Sequence, residues 1–287
     1  MPAVQTTGRN GLPCVTLSGA DGATAEVYLN GAHVTSWQPR GEEVLFVSER
    51  SRFATGHSIR GGIPVIFPQF GPGPLPQHGF VRTQRWTVRE LGGHENAVFV
   101  KLALTDSPET RSLWPHSFEA ELTVTLTEAL EVALSVTNTG SGSFDFTAAL
   151  HTYLGVSDVT RIALEGLRGA PFIDKTRDHR RFNDTEPLLR IEGETDRIYL
   201  AVEGAVRVHD AGTRRVVTCR GAGLPDVVVW NPWIDWSREH DDFGNDEYLR
   251  MVCVEGARIQ YPVRLHRGGR WHGSQILSVQ EPAEGGA

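Results

Sequence analysis

Lysine is nearly missing from this chain. Of 28 Lys and Arg residues in 287, only Lys101 and Lys175 are lysines. That scarcity works against Schiff-base chemistry and puts the positive charge into arginine, whose planar fork suits carboxylate and phosphate ligands. A basic excess is missing too: 35 Asp and Glu give a formal net charge of -7, whereas a nucleic-acid binder is expected to run basic. Cysteine is sparse. Cys14, Cys219 and Cys253 are far apart, odd in number and form no C-x-x-C, which argues against a disulfide framework and a cysteine-rich zinc site. No apolar run approaches the roughly 18 residues of a membrane span, and residues 1–10 hold no apolar signal core. A reducing cytoplasm is the expected compartment, with no membrane or nucleic-acid partner.

Several motifs are absent as well. There is no G-x-x-x-x-G-K-[ST] phosphate loop, and Gly71-Pro72-Gly73-Pro74 lacks the spacing of a dinucleotide fingerprint. Gly56-His57-Ser58-Ile59-Arg60 departs from the G-x-S-x-G nucleophile elbow at its last position. Eleven histidines are scattered without H-x-H or H-E-x-x-H, so the sequence indicates no metal site and no cofactor.

Period-two alternation is what the chain does have. Phe118, Ala120, Leu122, Val124 and Leu126 share one face against Glu119, Glu121, Thr123 and Thr125. Leu130, Val132, Leu134 and Val136 repeat the pattern after a break at Glu128–Ala129, which predicts an antiparallel hairpin with one wet face. Further strands are expected at 15–17, 25–29, 98–104, 144–150, 198–202, 216–219, 227–230, 251–255 and 274–279. One short helical turn is expected at Ser107-Pro108-Glu109, with serine as cap and proline in the first helical position. Many strands with few helices predict a mostly β fold, a large antiparallel β-sandwich. No composition break divides it, so residues 1–287 are expected to form one domain with flexible ends at 1–10 and 281–287.

The segment 61–80, GGIPVIFPQFGPGPLPQHGF, is too rich in glycine and proline for a central strand. It reads as a shaped loop, and loops carried by a rigid sheet are where sites tend to lie. Arg60 opens this segment and Arg82 closes it, so a loop that turns back could bring both to one anion; the ordinary alternative is two solvated arginines. His151 ends the apolar strand 144–150, where an imidazole could lean into a cleft and exchange a proton near neutrality; it could equally be a structural histidine. Glu255 shares a strand face with Met251 and Cys253, and a carboxylate on an apolar face must be paired, protonated or functional. Burial would raise its pKa and make it a stronger base, although a strand-end glutamate can also meet water. Asp196, in Glu194-Thr195-Asp196-Arg197, is where a turn ordinarily places an aspartate.

GGIPVIFPQFG and LPQHGFVR, followed in order by SPETRSLWPHSF, AALHTYLGVSD, ETDRIY, VVVWNPW and VCVEGA, resemble the hexose-6-phosphate mutarotase family, the glucose-6-phosphate 1-epimerases of the galactose-mutarotase-like group. The likeness runs from about Gly31 to Pro282. It implies a β-supersandwich that interconverts α and β anomers of a hexose 6-phosphate without a metal; separately, the chain is expected to be a monomer. The resemblance places the catalytic pair at His151 and Glu255, the sugar-binding aspartate at Asp196, and the phosphate and sugar contacts at Arg60, Gln77 and Arg82, with His78 beside them. The connection Gly71–Pro74 is shorter than in some relatives. Two other readings stand beside this one: the same chemistry on an unphosphorylated aldose, and a non-catalytic sugar-phosphate-binding β-sandwich. A glycosidase is weaker, because no second acid is placed opposite Glu255.

Overall fold

A computed structural model of the protein describes residues 3–94 and 96–281. Its elements follow from the alternation. Strands Phe118–Leu126 and Leu130–Asn138 pair in register from Phe118 opposite Asn138 to Leu126 opposite Leu130. The apolar set of the first strand is fully buried and its Glu and Thr set half-exposed. The reversal is closed by the Thr127 hydroxyl, which accepts from the Ala129 N–H at 3.1 Å. Ser107 caps helix Pro108–Leu113 through a reciprocal box with Thr110, with Pro108 in the first position.

Three sheets result. Ala3–Thr7, Pro13–Ser18, Thr24–Tyr28 and His33–Gln38 form a four-stranded meander. A nine-stranded sheet carries the hairpin above near one edge and extends through Arg270–Gln280 and Arg215–Ala222. An eight-stranded sheet places Thr195–Tyr199, Asp226–Asn231, Met251–Leu265 and Phe144–Leu150 side by side in that order. Among the described residues every pairing between these strands is antiparallel. One buried apolar cluster draws on all three sheets, including Leu17 and Val27, Leu122 and Leu134, and Leu150 and Val254. Burial on this scale is the main driving force for such a fold.

Some expectations need correction. Residues 1–10 are not simply a loose end: Ala3–Thr7 pairs along its whole length with Pro13–Ser18. The tail 282–287 lies outside the described residues. The strand expected at 198–202 runs Thr195–Tyr199 and stops before Ala201, whose φ is +51°. The strand at 251–255 continues to Leu265, because Gly256 and Ala257 pair with both Asp226–Asn231 and Phe144–Leu150 and the residues beyond keep pairing with Phe144–Leu150. Helix Trp233–Glu239 was not expected. Its seven residues are too few to show a helical period.

Candidate active site

The eight-stranded sheet sets the site. Tyr153–Gly155 and Asp226–Asn231 both pair with Met251–Leu265, with Val228 opposite Glu255 and both Tyr153 and Trp230 opposite Cys253. Asp196 lies opposite Trp230 on the next strand. Because strand side chains alternate, Asp196, Trp230, Glu255 and His151 project over one face of this sheet, where a cleft of about 320 Å³ opens.

The segment 60–82 wraps the other wall. Gly61 has φ +116° and Gly62 φ +62°, and a Cβ on either would strike the backbone oxygen of Phe46 or Val34, at 2.3 and 2.1 Å. Only glycine lets the chain pass that close. The passage is fixed by buried His33, whose Nε2–H donates to the Gly61 carbonyl at 2.7 Å. The short connection at Gly71–Pro74 is held from inside by Gln69: its amide donates to the Gly71 and Leu75 carbonyls, and its oxygen accepts from the Leu75 N–H. His78 Nδ1 accepts from the Gly71 N–H at 3.3 Å. An accepting Nδ1 belongs to a neutral ring, and burial and the nearby Arg82 push the His78 pKa down to about 3.

All seven residues singled out from the sequence, Arg60, Gln77, His78, Arg82, His151, Asp196 and Glu255, line this one cleft. Sequence reasoning did not find Tyr153, Lys175, Glu194, Trp230, Trp236 and His240, which line it with them. The rarity of lysine was the one usable signal for Lys175; Tyr153 and Trp230 sat in the HTYLG and VVVWNPW segments and Trp236 just after the second, none singled out. A larger hollow of about 520 Å³ beside Arg40, Arg215 and Glu281 has no histidine and no buried carboxylate in its lining.

His151 Nε2 lies 3.4 Å from Glu255 Oε1, and both side chains are almost wholly buried. The imidazole is stacked on Tyr153, with ring centroids 4.8 Å apart and planes at 13°, and meets His78 and Trp230 edge to face. His151 Nδ1 and Glu255 Oε2 have no hydrogen-bond partner among the described residues. Buried polar atoms left open in this way cost stability, and they are the atoms a hydroxylated ligand could satisfy. Burial raises the Glu255 pKa well above the usual carboxylate range, Asp196 adds to the rise, and Lys175 opposes it. Burial lowers His151, and His78, Arg82 and Arg60 lower it further. Both shifts favour the neutral forms, a protonated Glu255 beside a neutral imidazole, with burial the largest cause of each.

The arginines differ. Arg60 turns its Nε and Nη2 edge to Asp242, at 3.2 and 3.3 Å, and its Nη1 toward the Tyr153 hydroxyl at 3.5 Å, with its carbon 5.1 Å from the Trp236 ring centre. Burial works against the charge, but Tyr153 and Asp242 outweigh it and keep the guanidinium protonated. Arg82 donates one bond to the Gln77 carbonyl at 2.7 Å and keeps its other donors. Among the described residues, His151, Cys253 and Glu255 form the one group whose donor atoms lie close enough, within 4.8 Å, to share a metal ion. Cys253 is a poor donor there: it packs with Phe46, Phe243, Tyr248 and Met251, and burial pushes its thiol far up. The set is better suited to moving protons.

The aldose 1-epimerase family profile matches residues 13–278. A Cenchrus ciliaris protein provisionally named glucose-6-phosphate 1-epimerase is 38% identical over 281 residues, covering 94% of this chain and 85% of that one. An Escherichia coli protein with the same provisional name is 36% identical, covering 89% and 86%. The crystal structure of a provisionally named mutarotase from Salmonella typhimurium superposes with a TM-score of 0.90 at 31% identity, covering 98% of this chain and 94% of that one. The family match over most of the sequence, the relatives at 36–38% identity and the superposition over nearly the whole chain converge: the chain belongs to the aldose 1-epimerase family.

Proposed function

We propose that the protein interconverts the α and β anomers of a hexose 6-phosphate, glucose 6-phosphate foremost, by opening and reclosing the sugar ring. The observation that carries this reading is the buried His151–Glu255 pair, 3.4 Å apart, in a cleft whose wall holds Arg60 and Arg82. Ring opening removes the O1 proton and protonates the ring oxygen as the C1–O5 bond breaks. Glu255 takes the first proton and His151 gives the second, so the pair moves from carboxylate and imidazolium to the neutral form. The C1–C2 bond of the open aldehyde rotates, O5 attacks the other carbonyl face, and the two transfers reverse. The neutral form, which burial favours, carries the same single proton. A phosphate set against Arg60 and Arg82 offsets the two cations that depress His151, and so favours the charged form that starts the reaction. Asp196 contributes a hydroxyl contact, Gln77 and His78 border the phosphate side, and the remote phosphate supplies binding energy for orientation.

On this reading the protein works on the sugar-phosphate pool of the cytoplasm, as a monomeric single-domain enzyme whose core joins all three sheets. One observation favours the second reading, a free hexose as substrate: the forked edge of Arg60 is already on Asp242. NMR saturation exchange between the anomers of glucose 6-phosphate, with and without enzyme, tests the activity. Arg82→Ala separates the readings. Charge-assisted bonds contribute about 1.5–3 kcal/mol, so a loss of roughly ten- to hundredfold in kcat/KM is expected for glucose 6-phosphate, with little change for glucose. Equal losses for both sugars would reassign Arg82 to shaping the cleft.

A further inference from the structure

One cleft cation has no part in the mechanism above. Lys175 follows strand Pro171–Asp174 in a short turn capped by Asp174, whose carboxylate accepts from Thr176. Asp174 is itself buried and faces Arg177 and Arg197, at 3.6 and 3.5 Å. Lys175 is paired elsewhere: its Nζ donates to Asp196 Oδ2 at 2.5 Å, with both side chains largely buried in the cleft wall. Asp196 Oδ1 has no hydrogen bond among the described residues.

We propose that Lys175 is a positioning residue for this reaction: it holds Asp196 by one carboxylate oxygen and places a compact positive charge on the Glu255 side of the cleft. The proposal rests on the reading of His151 and Glu255 as acid and base. Arg60 and Arg82 act on His151, whereas Asp196 and Lys175 act on Glu255, and Lys175 joins the two arginines only in acting on His78. Around that end stand Asp196 and Glu194 from one segment, Lys175 from its turn, His151 against the carboxylate and Cys253 on the same strand, with Asp174 and His179 acting on Asp196 and Asp235 on Glu194. Without Lys175 the base would face Asp196 without the cation that offsets it, and would hold its proton more tightly. The choice of lysine fits the geometry in a chain that otherwise uses arginine. A guanidinium fork engages both carboxylate oxygens, while an ammonium is a point charge that leaves Oδ1 free for a sugar hydroxyl.

The test follows the Glu255 carboxyl by NMR in protein carrying 13C-labelled glutamate, with Glu255→Gln identifying the resonance. In Lys175→Met, or Lys175→Gln if the first variant folds poorly, the Glu255 titration midpoint rises relative to wild type, and Lys175→Arg restores it. This readout needs no substrate, so it stands apart from anomer exchange in the wild type, which tests the activity itself. With glucose 6-phosphate, Lys175→Met lowers kcat about tenfold or more, toward the 10²–10⁴-fold a positioned base contributes. Inhibition by inorganic phosphate stays unchanged, because Arg60 and Arg82 remain. Lys175→Arg keeps kcat but raises KM, as its fork takes the oxygen meant for the sugar. A Glu255 midpoint that does not move in Lys175→Met, or that moves equally in Lys175→Arg, overturns the proposal.

Discussion

The side chains that would do the chemistry are held where burial penalises their charged forms. Glu255 keeps a raised pKa because its carboxylate would be dry and near Asp196. A carboxyl whose pKa is raised by folding stabilises the fold fully below its unfolded value and loses that contribution as pH climbs toward the folded value. Near neutral pH the unfolded chain is free to ionise and the folded one is not, so Glu255 costs stability there. Glu255→Gln is therefore expected to unfold at a higher temperature than wild type at about pH 7, while anomer exchange falls roughly 10²–10⁴-fold. A variant that melts lower and exchanges normally would remove both the burial argument and the assignment of the base. Gain of stability with loss of activity is the usual sign of a strained functional site.

At the level of elements, the arginine wall depends on a backbone passage that no side chain can share. Gly62 has φ +62°, with the Val34 carbonyl where a Cβ would go, whereas Gly41 has φ +79° and open space around it. Both positions charge an alanine for the left-handed conformation, about 1–3 kcal/mol, but only Gly62→Ala adds a backbone clash. Urea unfolding should show Gly62→Ala as the more destabilised of the two. Only Gly62→Ala should also raise KM for the phosphorylated sugar, because the shift is passed to Arg60 two residues away. Equal destabilisation with unchanged KM would mean that the strand ends relax around the insertion without moving the cleft.

For the molecule as a whole, acid sensitivity is set by buried histidines. His33 is fully buried, and burial lowers its pKa to about 4, with the Gly61 carbonyl opposing the shift and Arg82 adding to it. A histidine depressed in the fold takes up its proton in the unfolded state first, so stability falls as pH drops from 6.5 toward 4. Its limit is roughly 3 kcal/mol for this one residue. His78 and His151 push the same way. The protein is expected to lose stability below about pH 6.5, before most carboxylates protonate, and His33→Gln, which can still donate to Gly61, should move the acid transition to lower pH. The check is the thermal midpoint between pH 4 and 8 for both proteins; parallel curves would clear His33 of the effect.

The β-sandwich was legible in the sequence because period two is a local property: each strand of the hairpin 118–138, strand Phe144–Leu150 and the Ser107 cap announce themselves within a dozen residues. His151 and Glu255 could be named as candidates for the same reason, as polar groups at the ends of apolar strand faces, and family likeness added Gln77 and His78 and gave roles to Arg60, Arg82 and Asp196, already singled out. Sequence could not tell that Asp242 occupies the fork of Arg60, that Lys175 meets Asp196, or that Trp230 and Trp236 wall the cleft, since those contacts join segments 21 to 182 residues apart. Nor could it fix where the shared proton rests. That depends on how much water and which charges the folded chain leaves around each group, and both quantities exist only after three sheets have closed over them.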